Sequence, residues 1–275
     1  MIDYSIIKPK LIVLDLDGTT LNSNNLIPEN LKDILIHLVS SGMCRVVLAS
    51  GRSISSMKTL ASDLGLTAPL VTLNGGVIID PITNEIYNEN NLPIKTYKES
   101  LLILRMLNIN FVVFTSFGVY AEEPSEITDI LIKYTENEIK WAKNFESIKN
   151  PVKILFIPKS KESSNEIKKE TSFLDIDIIE SGFSFTEIVP KGVNKGSALK
   201  IVSEMLEIDT KDIIAFGDNE NDIEMLQLAG TGVAMGNAPD HVKAEADLVT
   251  DTNDDDGIYK ILKQIFDPVK EEILL

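Results

Sequence analysis

Leu11-Ile12-Val13-Leu14-Asp15-Leu16-Asp17-Gly18-Thr19 is the stretch on which the fold turns. Four consecutive apolar residues leave no polar face, the pattern of a short strand covered on both sides in a parallel sheet. Two carboxylates follow, one residue apart. A buried carboxylate is costly unless a cation or several donors meet it. A dry strand that runs into two acids and a Gly-Thr turn points to a metal-assisted phosphate site.

Outward from this stretch, strand and helix patterns alternate. Pro28 opens a helix with Leu31, Ile34, Leu35, Leu38 and Val39 on one face, and Gly42 ends it. Arg45 to Ala49 reads as a second buried strand and Pro69 to Leu73 as a third. Between them a helix runs from the Ser53 cap to Leu64. The rhythm then changes. Val77 to Ile79 and Glu85 to Tyr87 flank a turn at Pro81-Ile82-Thr83-Asn84. Helices near 94–107, after Pro124 and near 161–173 are mixed with strands near 111–115, 119–122, 152–157, 176–179 and 185–189. That mixture predicts an α+β module with an antiparallel sheet. From Asn194 the strand–helix alternation resumes and continues to a last helix from Ile258. The expectation is an α/β fold: a doubly wound parallel-sheet, Rossmann-like core, residues 1–82 and 189–275, interrupted by an α+β cap over residues 83–188.

Bulk properties narrow the function. The 275 residues are 44% hydrophobic, enough for a substantial core. With 42 acidic and 26 basic residues the formal net charge is −16, which argues against nucleic acid and anionic membranes as partners. An anionic substrate then needs a local cationic site. The one cysteine, Cys44, beside Val46-Val47-Leu48, has no internal partner and reads as a core thiol. No secretory signal or bilayer-length apolar run is visible, so a cytoplasmic location is expected.

In an open parallel sheet, ligands bind beyond the carboxyl ends of the strands. Four segments put polar residues there: Asp15 and Asp17; Ser50-Gly51-Arg52; Lys195 at the start of a helix; and Gly217-Asp218-Asn219-Glu220-Asn221-Asp222. Asp15, Asp17 and Asp218 meeting at one point require a cation, and hard oxygen ligands favour Mg²⁺. Lys195 offers a charge to phosphate oxygens at a helix N-terminus. Ser50 offers a hydroxyl and Gly51 a backbone N–H. An aspartate is a free nucleophile at neutral pH. That matters because the only histidines, His37 and His241, sit at helix positions that suit packing or solvent. Taken singly, Asp17-Gly18 is also a strand-ending turn and Asp218-Asn219 also a helix cap. Arg52 reads equally well as a bridge from core to cap. Lys191 is the competitor of Lys195 but lies farther from the helix start.

These segments resemble the four motifs of the haloacid dehalogenase superfamily, in particular its Cof-type phosphatases of subclass IIB with a C2-type cap. Asp15-Leu16-Asp17-Gly18-Thr19-Thr20-Leu21 is similar to the first motif, Ser50-Gly51-Arg52 to the second, Lys195-Gly196 to the third and Gly217-Asp218 through Asn221-Asp222 to the fourth. Gly236-Asn237-Ala238 and Asp256-Gly257 resemble the subfamily's tail. Asn74-Gly75-Gly76 stands where relatives often carry Asn-Gly-Ala. The resemblance implies that Asp15 attacks phosphorus and that Asp17 protonates the leaving oxygen and then activates water. It implies Mg²⁺ held by the Asp15 carboxylate, the Asp17 backbone carbonyl and Asp218, with Asp222 in support. Phosphate would be held by the Leu16 backbone, Ser50, Gly51, Lys195 and Asn221, with Arg52 at the substrate side. The expected activity is Mg²⁺-dependent hydrolysis of small phosphorylated metabolites, such as sugar phosphates, by a monomer or weak homo-oligomer. A phosphohexomutase of the same core and cap type, or a non-catalytic ligand-binding protein, is the alternative.

Overall fold

In the computed structural model, residues 4–135, 139–181 and 185–266 are described. The chain opens with β1 (Leu11–Leu14), α1 (Glu29–Ser40), β2 (Arg45–Leu48), α2 (Ile54–Asp63) and β3 (Leu70–Thr72). It continues with β4 (Val77–Ile79), β5 (Ile86–Glu89), α3 (Ile94–Met106), β6 (Phe111–Thr115), β7 (Gly118–Ala121), α4 (Glu126–Thr135) and β8 (Ile139–Trp141). Then come β9 (Lys153–Phe156), α5 (Lys161–Glu170), β10 (Ile176–Ser181), β11 (Phe185–Pro190) and α6 (Lys195–Met205). The last elements are β12 (Ile213–Gly217), α7 (Ile223–Leu228), β13 (Thr231–Ala234), α8 (Asp240–Lys243), β14 (Leu248–Val249) and α9 (Gly257–Phe266).

A parallel sheet in the order β14-β13-β12-β1-β2 forms the core. Successive side chains of a strand point to opposite faces, and β1 shows both being used. Ile12 and Leu14 pack with Leu31, Leu35 and Leu38 of α1, Met57 of α2 and Ile261 and Leu262 of α9. Leu11 and Val13 pack with Leu199 and Val202 of α6, Leu226 of α7 and Val242 of α8. Helices therefore cover both faces, which is why the strand carries no polar residue until it ends. Beside β2, a parallel bridge from Ala49 to Val71 hands the edge to β3, which pairs antiparallel with β4, and β4 with β5.

A second, six-stranded sheet has the order β10-β11-β9-β6-β7-β8. One face packs on Tyr97, Leu101 and Leu104 of α3 and Ile167 of α5, the other on Ile127 and Leu131 of α4. Two details differ from the sequence reading. Strand β8, absent from that reading, pairs parallel with β7 in an otherwise antiparallel sheet. Helix α5 stops at Glu170, and the Thr171 hydroxyl donates to the Ile167 carbonyl, 2.7 Å. The chain passes between the sheets at 90–93 and 191–194, and both crossings touch Gly75-Gly76. The Asn90 amide N–H donates to the Gly76 carbonyl, 2.8 Å, and Asn90 Nδ2 to the Gly75 carbonyl, 3.1 Å. A Cβ on Gly75, φ +95°, would stand 2.3 Å from the Asn194 carbonyl oxygen.

Candidate active site

The parallel ladder fixes the end of β1. Asp15 N–H still donates to the Phe216 carbonyl of β12, 3.1 Å, and Ala49 N–H to the Leu14 carbonyl, 2.8 Å. Asp15, Ser50 and Gly217 thus leave neighbouring strands at the same edge. The loop after β1 folds back on itself, with Leu21 N–H on the Leu16 carbonyl, 2.8 Å, and the Thr20 hydroxyl on the Asp15 carbonyl, 2.5 Å. Gly18 has φ +79°, and a Cβ there would lie 2.3 Å from Asp218 Oδ2. Only glycine lets the β1 loop and the β12 loop approach this closely.

Lys195, the first residue of α6, is 1% exposed. Its ammonium donates to Asp15 Oδ1 at 2.5 Å and to Asp222 Oδ1 at 2.6 Å. The other oxygen of Asp222 accepts the backbone N–H groups of Asp218, 3.0 Å, and Asn219, 3.1 Å. Asp218 accepts from the Thr19 hydroxyl, 2.9 Å, and from Asn237 Nδ2, 3.3 Å. Carboxylate oxygens of Asp15, Asp218 and Asp222 lie within 4.8 Å of one another. One ammonium does not balance three carboxylates. Burial, reinforced by Asp222 and Asp218 and opposed by Lys195, holds the Asp15 carboxyl well above the usual carboxylate range. Burial, then the Asp222 charge, pushes Asp218 up to about 6. For Lys195, burial works against the charged form, but Asp15 and Asp222 outweigh it and raise the pKa above its ordinary value. A site of hard oxygens with excess negative charge fits a divalent cation such as Mg²⁺.

The three carboxylates that crowd together are therefore Asp15, Asp218 and Asp222, rather than the expected Asp15, Asp17 and Asp218. The Asp17 side chain, 55% exposed, is turned outward by Arg52, whose Nε and Nη2 reach its two oxygens at 2.9 and 2.6 Å. Ser50 and Gly51 leave β2 at the same edge, and Leu16 is fully buried with its carbonyl accepting from Thr19 and Leu21. Asn221 and Lys195 line a cavity of about 490 Å³ together with Asn74 from the β3–β4 connection, Lys168 of α5 and Ile178 and Glu180 of β10. Lys191 is exposed and paired with Asp177, and His241 pairs with Glu220 at the surface. His37 is exposed on α1. Thr19, Thr20, Asn237, Asn74, Lys153 and Glu187 went unread as site residues. The first four stand in or beside quoted motifs. Lys153 and Glu187 had a fainter signal, a single charge inside an apolar strand.

The chain matches the haloacid dehalogenase-like hydrolase family over residues 12–262. It is 31% identical to the 5-amino-6-(5-phospho-D-ribitylamino)uracil phosphatase YitU of Bacillus subtilis, over 94% of this chain and 98% of that protein. It is 34% identical to the phosphatase YcsE of the same organism, named for the same compound, over 92% and 94%. A crystal structure of a haloacid dehalogenase-like hydrolase from Bacteroides thetaiotaomicron superposes with a TM-score of 0.84 at 30% identity, covering 94% of this chain and all of that one. No helix among the described residues is long and apolar enough to cross a membrane. With the acids of β1 and β12 and the lysine of α6 at one sheet edge, the chain belongs to the haloacid dehalogenase-like hydrolases and stands among their phosphatases.

Proposed function

We propose that the protein is a Mg²⁺-dependent phosphatase of small phosphorylated metabolites that works through an aspartyl-phosphate on Asp15. The observation that carries this reading is the buried Asp15–Lys195–Asp222 network with Asp218 beside it at the strand ends. Asp15, the Asp17 backbone carbonyl and Asp218 would hold Mg²⁺, with Asp222 behind them. Bound there, the ion supplies positive charge to the phosphoryl oxygens. The part of the chain between the crossings at 90–93 and 191–194, bounded at 83–188 in the sequence reading, acts as the cap over the core expected at 1–82 and 189–275.

Asp15 attacks phosphorus while the ester P–O bond breaks, and Asp17, freed from Arg52 as substrate enters and having taken a proton from solvent, passes that proton to the leaving oxygen. Asp17, now a carboxylate, takes a proton from water as the water oxygen attacks phosphorus. The Asp15–phosphorus bond breaks and inorganic phosphate leaves. Lys195, Ser50, Asn221 and the Leu16 and Gly51 backbone meet the charge of the transferring group, which is where most of the barrier reduction arises. Arg52 holds Asp17 until substrate enters and then shares its guanidinium with the substrate. The cavity of about 490 Å³ suits a sugar-phosphate-sized molecule. The compound named for YitU and YcsE, a phosphomonoester of a ribityl chain, belongs to that class and belongs in any substrate panel.

Asp15→Asn is expected to lower hydrolysis of p-nitrophenyl phosphate on the order of a thousandfold or more while the melting temperature holds. EDTA should abolish wild-type turnover and Mg²⁺ restore it. Unchanged activity in Asp15→Asn would overturn the reading, and isomer formation from a hexose phosphate without phosphate release would make the protein a mutase.

A further inference from the structure

Two charged residues that this chemistry does not use are buried in the six-stranded sheet. Lys153 of β9 is 2% exposed and Glu187 of β11 is 3% exposed. In the antiparallel register Glu187 faces Leu155, so Lys153 is its diagonal neighbour on the same sheet face. The two pair at 2.9 Å, and the Lys153 ammonium lies 4.8 Å from the centre of the Phe114 ring. An apolar pair of similar volume is commonly as stable as a buried ion pair, or more so, so stability alone gives little reason for the charges. Three bonds lead from the pair out of the sheet. Lys153 Nζ donates to the Gly51 carbonyl, 3.2 Å. Glu187 Oε2 accepts from Asn74 Nδ2, 3.1 Å, and Asn74 Oδ1 accepts from Asn221 Nδ2, 3.0 Å.

The order of donors and acceptors along this chain is forced. A carboxylate paired with an ammonium only accepts, so Asn74 must turn its NH₂ end toward Glu187. Its carbonyl then faces Asn221, and a carbonyl there demands the NH₂ end of Asn221. Asn74 has little freedom to do otherwise. It is 2% exposed, held at φ 57°, and its amide packs against Gly51, where a Cβ would sit 3.1 Å from both Asn74 amide heteroatoms. We propose that Glu187, acting through Asn74, is a positioning residue that sets the amide of Asn221 with its NH₂ end, not its carbonyl, at the phosphate position. The inference rests on the phosphatase reading and on Asn221 as a phosphate donor. Lys153 ties the Ser50-Gly51 loop to the same pair. Seating of β9 and β11 therefore orients two of the loops that meet the phosphate. A flipped Asn221 would offer an oxygen to an anion.

The test is binding of inorganic phosphate to the Mg²⁺-loaded protein, measured by calorimetry alongside the melting temperature. Glu187→Gln places an amide at 187 that presents either a donor or an acceptor to Asn74, so the polarity is no longer fixed. Glu187→Gln and Asn221→Ala are each expected to weaken phosphate about tenfold, the scale of one hydrogen bond to a charged group. The double variant should be no weaker than Asn221→Ala alone. A purely structural role would lower the melting temperature and leave the phosphate Kd within twofold. That result, or effects of the two substitutions that multiply, overturns the proposal. If Glu187→Gln fails to fold, Lys153→Met/Glu187→Leu keeps an apolar core and removes the polarity, and the same tenfold loss is expected. A wild-type protein that neither binds phosphate nor hydrolyses esters would mean that the phosphatase reading itself has failed.

Discussion

At the scale of single residues, the site consists of acids kept apart from water with too few cations. Asp218, raised to about 6, binds a proton more readily folded than unfolded. Between about pH 4 and pH 6 folding therefore takes up a proton, and this group's contribution to stability is lost as pH rises through that window. The full effect is bounded at about 3 kcal/mol. In EDTA, melting at pH 5 and at pH 7 should show this loss, and Asp218→Asn should remove part of it. Mg²⁺ competes with the same proton, so its affinity should fall below about pH 6, with protons released on binding. Calorimetry in buffers of different ionisation enthalpy measures both. The convergence of Asp15, Lys195 and Asp218 was legible because each stands at the junction of an apolar run or helix start and a turn, which is local information. Asn74, Lys153 and Glu187 were not. Their meaning depends on which strands lie side by side and in what register, which no short window of sequence contains.

At the scale of elements, the strands and helices follow from periodicity, and the exceptions have physical causes. The alternation Ile12/Leu14 against Leu11/Val13 serves two helical layers, so β1 carries an unbroken apolar pattern that is easy to read. Strand β8 is three residues long, and its centre is the charged Lys140, too little apolar signal to separate from a loop. Gly76 shows what one missing methyl does. A Cβ there would lie 2.3 Å from Val152 Cγ1, so this chain lets the segment entering β9 sit closer to the β3–β4 connection than an alanine would permit. Gly76→Ala is expected to destabilise by about 1–3 kcal/mol through overpacking, and Val152→Ala in the same chain to recover much of it. Urea unfolding of the single and double variants checks this. Additive losses would show that the two groups do not meet.

At the scale of the whole molecule, the formal charge of −16 opposes every anionic substrate at a distance, while the buried Lys195 attracts it only at the site. Salt screens the long-range repulsion more than the buried attraction. kcat/KM for a phosphomonoester is thus expected to rise, by roughly twofold or more, as NaCl increases from about 10 to 150 mM. A fall would mean that local steering dominates. The composition made this balance legible, but the sheet order did not. β1 lies between β2 and β12, and its partner Ile213 is some 200 residues away, a pairing that periodicity cannot announce. The two chain crossings carry a mechanical consequence. Because Asn90 and Asn194 both come to rest against Gly75-Gly76, the two chain crossings are anchored to the same pair of glycines. A single methyl added at position 75 would therefore press on the Asn194 carbonyl while the Asn90 amide hangs from the same residue's carbonyl, so one substitution would strain both crossings together.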